Sequence, residues 1–520
     1  MNGHEKSDLV VVAMKPANED GDFSEALAQE SRSSEEPVER RARAEGNADQ
    51  RSTPRAQDRI GVTQGLARIR QVARERKGER FTSLMHHVGV AHLREAFYSL
   101  KRDAAPGVDG MTWQDYEAEL ELRLCDLHDR VHRGGPYHPL PSRRRWIPKP
   151  DGRQRPLGIA ALEDKIVQRA VQAVLNAIYE EDFLGFSYGF RPGRGQHDAL
   201  DALSVAIGSR KVNWIVDIDI RSFFDTVSHE WLIRFLEHRI GDRRILRLIQ
   251  KWLKAGVLED GTMTASEEGT PQGAVISPLL ANIYLHYGID LWAEQWRGRE
   301  AGGDMIIVRY ADDLVVGFEH ETHARRFLDD LRERVARFGL ALHPDKTRII
   351  EFGRYAARAR ASRGLGKPET FNFLGFTFIC GTDRRGNFLL KRKSRGDRMR
   401  AKLAELKEAL RRRMHQPIPE TGKWLAQVVR GYFNYHAVPT NGPALAAFRY
   451  HVTKLWFRTV KRRGDRRPMT WERFGKLAAD YPPRPRILHP WPNKRFAVKH
   501  PRWEPYAGKP HVRFCAGGAQ

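Results

Sequence analysis

Two adjacent carboxylates, Asp312 and Asp313, sit in MIIVRYADDLVVGF (Met305–Phe318) between two short apolar runs rich in β-branched residues. Runs of that length and composition read as buried strands, so the acids fall at the tip of a hairpin. Aspartate is common in solvated turns, and on this stretch alone a solvated turn outweighs a divalent-metal site held rigidly by the sheet. In NWIVDIDIRSFFD (Asn213–Asp225) the apolar Trp214, Val216, Ile218 and Ile220 alternate with polar positions, which puts Asp217 and Asp219 on one strand face. If that strand lies beside the hairpin, Asp219 meets Asp312 and Asp313 at the sheet's edge. Three carboxylates around one point do not all stay ionised without a cation. Hard oxygen ligands with room left for phosphates suit Mg²⁺, and two such ions about 4 Å apart clamp an in-line phosphoryl displacement. The competing reading is an acidic patch neutralised by the many arginines.

The elements that must position these acids belong to a chain of 520 residues, 41% hydrophobic and 30% charged, long enough for several domains and a sizeable core. Its formal net charge of +24 calls for a polyanionic partner, nucleic acid before anionic membrane. Three cysteines, Cys125, Cys380 and Cys515, lie far apart with no CxxC pair, against a Cys-based zinc cluster or a disulfide scaffold. No run of about 18 apolar residues offers a membrane span. The expected location is the cytoplasm.

Residues 1–60 are rich in Glu, Arg, Ser, Ala and Asp and read as a disordered extension. Helical patterns flank PGVDG (Pro106–Gly110), and a basic loop, SRRRWIPKPDGRQRPLGI, follows. A helix then carries Ile166, Ala170, Val174 and Ile178 on one stripe. Mixed α/β sequence runs to about residue 380. From Arg395 the pattern turns to basic amphipathic helices, and Met399, Leu403, Leu406, Leu410 and Met414 form one apolar stripe.

Taken together these motifs resemble a known family. YADD (Tyr310–Asp313) between apolar strands is similar to the catalytic hairpin of reverse transcriptases, and DIRSFFD (Asp219–Asp225) to their first catalytic-aspartate motif. GTPQGAVISPLLANIYL (Gly269–Leu285), GLALHPDKT (Gly339–Thr347) and FLGF (Phe373–Phe376) stand in the family's order. PGVDG and RGYFNYHAVPTNG resemble one branch, the bacterial group II intron-encoded reverse transcriptases with a maturase domain. The resemblance implies an α+β right-hand polymerase, with fingers and an antiparallel palm sheet, followed by an α-helical thumb/maturase domain. It divides the chain into an N-terminal extension of the polymerase (80–128), fingers and palm (129–378), thumb and maturase (395–480) and a basic tail (481–520).

Carried over by position, the resemblance makes Asp219, Asp312 and Asp313 the catalytic, metal-binding carboxylates, with Ile220 lending a backbone carbonyl to two Mg²⁺ ions that Mn²⁺ can replace. Asp217 shares their face but lies two residues too early to be a ligand. Phe224 falls where these enzymes set a ring against the sugar, rejecting a 2′-hydroxyl by clash; core packing is the alternative. Lys149 and Arg155 would hold the triphosphate, or belong to a solvated basic loop. Gln272 and Gly273 would line the nucleotide pocket, and Lys346 would stand near the leaving pyrophosphate. Phe373, Leu374, Gly375 and Phe376 would form a turn that holds the primer end against its template.

In the helical region, Arg430, Tyr432, Tyr435, Arg449, Lys454 and Arg458 would bind RNA by charge and stacking, unless the aromatics form a bundle core. The implied partners are group II intron RNA, an RNA template with its DNA primer, target DNA and deoxynucleoside triphosphates. Many relatives end in a zinc-bearing endonuclease domain built on Cys pairs; their lack here implies no endonuclease. The activity expected is RNA-directed DNA synthesis together with assistance to intron splicing and mobility. The alternatives are a non-catalytic RNA-binding splicing factor with a polymerase fold, and a reverse transcriptase adopted for defence or diversification.

Overall fold

The structure, a computed structural model, describes residues 52–133, 137–148, 154–259, 262–264, 268–270, 273–463 and 469–499. Lys149 and Gln272 lie outside the described residues, as do residues 1–51 and the tail from 500, and only the backbone of Arg155 is described. Eleven strands are found among the described residues, in three sheets.

The central sheet is built from β3 (Trp214–Asp219), β6 (Met305–Tyr310), β7 (Asp313–Phe318) and β8 (Arg348–Glu351), in the order β6-β7-β3-β8 and antiparallel throughout. Strand alternation sorts its side chains onto two cores. Val216, Ile218, Ile307, Leu314 and Val316 join a large cluster with residues of the helices Leu162–Tyr179, Ser277–Leu285 and Glu321–Ala336. Ile215, Ile306, Val308, Val315 and Ile350 pack on the opposite side with Leu200, Leu203 and Ile207 of the helix Gln196–Ser209. Covered on both faces, β6 and β7 are apolar almost without interruption. Ile166, Ala170, Val174 and Ile178 are all fully buried, as their spacing predicts.

A second sheet, β2-β1-β4-β5, joins β1 (Ser142–Pro148), β2 (Gln154–Ile159), β4 (Val257–Glu259) and β5 (Thr262–Thr264). The third, β11-β10-β9, comprises β9 (Phe371–Phe373), β10 (Phe376–Thr382) and β11 (Phe388–Ser394). Beyond it, the helices Gly396–Arg412, Ile418–His436 and Gly442–Lys461 surround Leu406, Leu410, Leu425, Val429, Phe433, Phe448, Val452 and Trp456. At the near end the bundle is fastened to the third sheet, where Ser394 N donates to Asn441 Oδ1 at 3.0 Å and Tyr435 OH to Leu374 O at 2.8 Å. At the same end a strap returns to the body. Leu488 N donates to Ala437 O at 2.9 Å, and the helix Pro492–Lys499 lies on Gln196–Ser209. Arg495 there stands 3.5 Å from Asp198 and 3.6 Å from Asp201.

One expectation is corrected. A helix, Ser52–Glu75, begins inside the stretch assigned to disorder up to residue 60. Leu66, Ile69 and Ala73 form a short stripe that joins the large core, with Ile69 and Ala73 buried, and the helix lies against Leu162–Tyr179. Phe223 and Phe224 lie in a one-turn helix, Phe223–Thr226, where Ser222 takes a left-handed conformation (φ 48°) and turns the chain after β3. No described helix is long and apolar enough to cross a membrane.

His436 ends the second bundle helix, with Nδ1 3.1 Å from Ser394 Oγ and its ring against Tyr432 and Phe376. Burial, aided by Arg398, holds its pKa down at about 4. An unfolded histidine titrates near 6.5, so between pH 6.5 and 4 the unfolded chain binds the extra proton and stability falls as pH falls. Thermal unfolding should show a lower Tm at pH 5 than at pH 7.5, and His436→Gln should shrink that difference.

Candidate active site

β3 and β7 end together. Asp219 and Asp313 are directly opposed in their antiparallel register, and Asp313 also faces Tyr310 across the β6–β7 hairpin. Between Tyr310 and Asp313 lies a two-residue turn of Ala311 and Asp312, with Ala311 in the left-handed region (φ 56°). The structure thus brings Asp219, Asp312 and Asp313 to one end of one sheet, with Asp217 two residues along the same face. The protein packed around the tip, then the charges of Asp312, Asp219 and Asp217, raise the Asp313 carboxyl to about 7, against a pull downward from Lys346. Asp217 is raised to about 6, chiefly by burial, while Arg348 at 3.9 Å works the other way.

Lys346 stands on this cluster, its ammonium bonded to Asp219 Oδ2. The loop that carries it cradles the strand end, as His343 N donates to Asp219 O at 2.8 Å. Ile220 is buried and bridges to Leu342 in the same loop. Among the described residues no set of three or more His, Cys, Asp or Glu side chains is closed up in a form that could hold a metal ion. The donor chemistry nonetheless fits a hard cation: the set is oxygen-only, crowding destabilises its full ionisation, and an ammonium is already drawn onto Asp219. An ion bound through Asp219 Oδ2 would compete with the Lys346 ammonium for that oxygen.

The hairpin turn is held from beneath by a group that motif reading passed over. Arg309, in β6, is fully buried, and all five of its N–H donors are used. Nε and Nη2 bind Asp290 at 2.7 and 2.6 Å, Nη1 binds Asn282 Oδ1 at 3.1 Å and Ala311 O at 2.9 Å, and Nη2 also binds Ser187 Oγ at 2.7 Å. Asp290 reaches it from a π-helical turn, His286–Asp290, inserted between the helices Ser277–Leu285 and Leu291–Arg299. Arg334 donates to two carbonyls of that turn, Gly288 O at 2.9 Å and Tyr287 O at 3.2 Å. The signal available in the sequence was an arginine inside the otherwise apolar run before YADD.

The other expected residues divide. Phe223 is buried while Phe224 is half-buried, and Phe224 O accepts from Thr270 N at 2.7 Å, so Phe224 sits at the foot of the segment leading to Gln272. Gly273 is left-handed (φ 112°), and a Cβ there would come within 2.6 Å of Gly158 O; its open side is filled by β2 rather than kept for a ligand. Leu374 and Gly375 (φ 44° and 78°) form the two-residue hairpin turn predicted at FLGF. Phe373 and Phe376 are buried in the core, so their rings anchor that turn and do not reach a primer. In the bundle, Tyr432 stacks on Phe448 at 3.7 Å and Tyr435 on Phe376 while bonding Leu374 O. Both rings are structural, correcting their assignment to RNA stacking. Arg449 Nε is tied to Pro482 O at 3.0 Å. Arg430 and Arg458 are exposed, and Lys454 lies over the exposed Tyr450 ring at 5.6 Å.

The strands that present these aspartates fall within a stretch that is similar in sequence to known proteins. Residues 147–378 match the family Reverse transcriptase (RNA-dependent DNA polymerase). Protein YkfC of Escherichia coli is 39% identical, over 42% of this chain and 64% of that protein. The group II intron-encoded protein LtrA of Lactococcus lactis is 38% identical, over 42% of this chain and 37% of its own length. Nuclear intron maturase 3 of Arabidopsis thaliana is 30% identical over 37% of this chain and 30% of its own. Over residues 147–378 the chain is thus similar to reverse transcriptases, and the proteins it resembles include a group II intron-encoded protein and an intron maturase. It spans less than two thirds of the length of each of these relatives.

Burial decides what the Arg309 clamp is worth. Asp290→Ala leaves a buried guanidinium without its counter-charge and should cost about 3–5 kcal/mol in chemical denaturation. Glu321→Ala breaks the exposed Arg325–Glu321 pair, also 2.6 Å long, and should cost under about 1 kcal/mol.

Proposed function

We propose that this chain is an RNA-directed DNA polymerase of the right-hand type that also binds a group II intron RNA and assists its splicing and mobility. The observation carrying the reading is the direct opposition of Asp219 and Asp313 at the strand ends, with Asp312 in the adjoining turn. In this reading the central sheet is the palm, the sheet of β1 and β2 belongs to the fingers, and the bundle Gly396–Lys461 is the thumb and maturase region.

Asp219, Asp312 and Asp313, with the carbonyl of Ile220, would hold two Mg²⁺ ions, or Mn²⁺ in their place. Bound there, such ions supply Lewis-acid polarisation of the reacting phosphate. The chain's own residues bind and sort the substrate. Phe224 stands against the sugar and excludes a 2′-hydroxyl by clash. Lys346, released from Asp219, meets the pyrophosphate, while Lys149, Arg155 and Gln272 complete the triphosphate pocket. The Leu374–Gly375 backbone supports the primer end. The exposed Arg430 and Arg458, and the half-buried Lys454 with Tyr450, follow an RNA backbone, in keeping with a net charge of +24.

A second reading, a splicing factor without polymerase activity, is favoured by the Lys346 ammonium standing on Asp219. Primer extension on an RNA template with deoxynucleotides and Mg²⁺ separates the two. The wild type should make cDNA, and Asp312→Ala/Asp313→Ala should lower the rate by at least about a hundredfold while leaving intron RNA binding within about twofold. A wild type that binds RNA and makes no cDNA overturns the polymerase reading.

A further inference from the structure

The segment before the helix Gln196–Ser209 runs alongside β6 on the edge away from β7. Arg309 N donates to Phe186 O and Tyr188 N to Arg309 O, each at 2.8 Å. Phe183, Phe186 and Tyr188 are buried. Gly189 then touches the hairpin turn itself: a Cβ there would fall 2.2 Å from Ala311 N, so backbone lies directly on backbone beside Asp312. The next residue, Phe190, breaks the pattern twice. Its backbone is left-handed (φ 59°), which a bulky residue adopts only under strain, and the residue is 50% exposed.

Nothing about the segment is loose. Asn282 Nδ2 donates to Gly189 O at 2.7 Å, and the buried Arg191 donates to Leu184 O at 2.8 Å, to Ser187 O at 2.9 Å and to Glu180. Arg194 donates to Gly185 O at 2.6 Å. The residues flanking Phe190 are therefore pinned on both sides, and the pinning imposes a strained conformation that delivers an apolar ring into solvent. A glycine at this φ would be unstrained, and an inward ring would gain burial energy. The fold forgoes both and holds an aromatic face one residue from the turn that carries Asp312.

We infer that Phe190 is a nucleic-acid contact: its ring stacks against a base or sugar of the template–primer strand lying over the Asp312–Asp313 hairpin, helping to seat the reacting end. This rests on the polymerase reading above. Stacking on an exposed ring suits a polymerase because every base offers a π-face, so the contact tolerates any sequence.

The test uses the full chain with a fluorescent DNA primer annealed to an RNA template, measuring Kd by anisotropy, the two KM values by primer extension, and Tm. Phe190→Ala should weaken Kd and raise the template–primer KM about tenfold, with the deoxynucleotide KM within about twofold. Phe190→Tyr should stay within about twofold of wild type. Phe190→Gly should show the binding loss of Phe190→Ala with a Tm no lower than wild type, since glycine relieves the strain; a merely structural ring would not separate the two readouts. Wild-type binding by Phe190→Ala, a change confined to the deoxynucleotide KM, or a loss of binding that tracks a fall in Tm in all three variants overturns the inference. Absence of cDNA from the wild type would sink the polymerase reading instead, a result that the anisotropy arm reports separately.

Discussion

Arg309 lies fully buried in the strand that leads into the Asp312–Asp313 turn, and burying a guanidinium costs several kcal/mol unless its charge and every N–H are matched. Its counter-charge is Asp290, the last residue of a π-helical turn. The turn in turn leaves carbonyls that Arg334 takes up. Asn282 completes the set and also holds Gly189, whose backbone rests on the hairpin. One buried positive charge therefore fixes the carbonyl of Ala311, the spacing between the helix layer and the sheet, and the line of the neighbouring segment. The carboxylates above it, which repel one another, are held together by this network and not by their own attractions.

Much of this was legible in the sequence because the acids lie on strands whose faces are dictated by alternation. Two-residue periodicity put Asp217 and Asp219 on one face, and the apolar flanks of YADD predicted a hairpin; both arise from local geometry and burial. What was not legible is relational. Tyr432, Tyr435, Phe373 and Phe376 are aromatic residues near basic ones, a pattern equally suited to stacking on bases and to filling a core. Only the packing of the bundle against the third sheet decides for the core. Gly273 has the glycine of a ligand-binding loop, yet its missing Cβ makes room for the carbonyl of Gly158. The helix Ser52–Glu75 hides because three buried positions in a polar stretch make a weak periodic signal.

The charge of the chain is distributed according to two rules. Buried arginines, among them Arg191, Arg309 and Arg392, are matched by carboxylates and carbonyls and act as fixed struts. Exposed ones such as Arg430 and Arg458 keep their charge available to solvent or to a polyanion. Total charge therefore points to a polyanionic partner but does not say which arginines face it.

The helical bundle is tied to the sheets through one short stretch: Tyr435 bonds Leu374 O, Asn441 accepts from Ser394 N, and the strap that carries Arg495 to Asp198 and Asp201 lands on Ala437 and Asn434. These ties gather where two bundle helices meet, so the bundle is mounted like a bracket bolted at its root. A load on such an arm is felt at the bolts, and here the bolts include the carbonyl of Leu374 in the turn between Phe373 and Phe376.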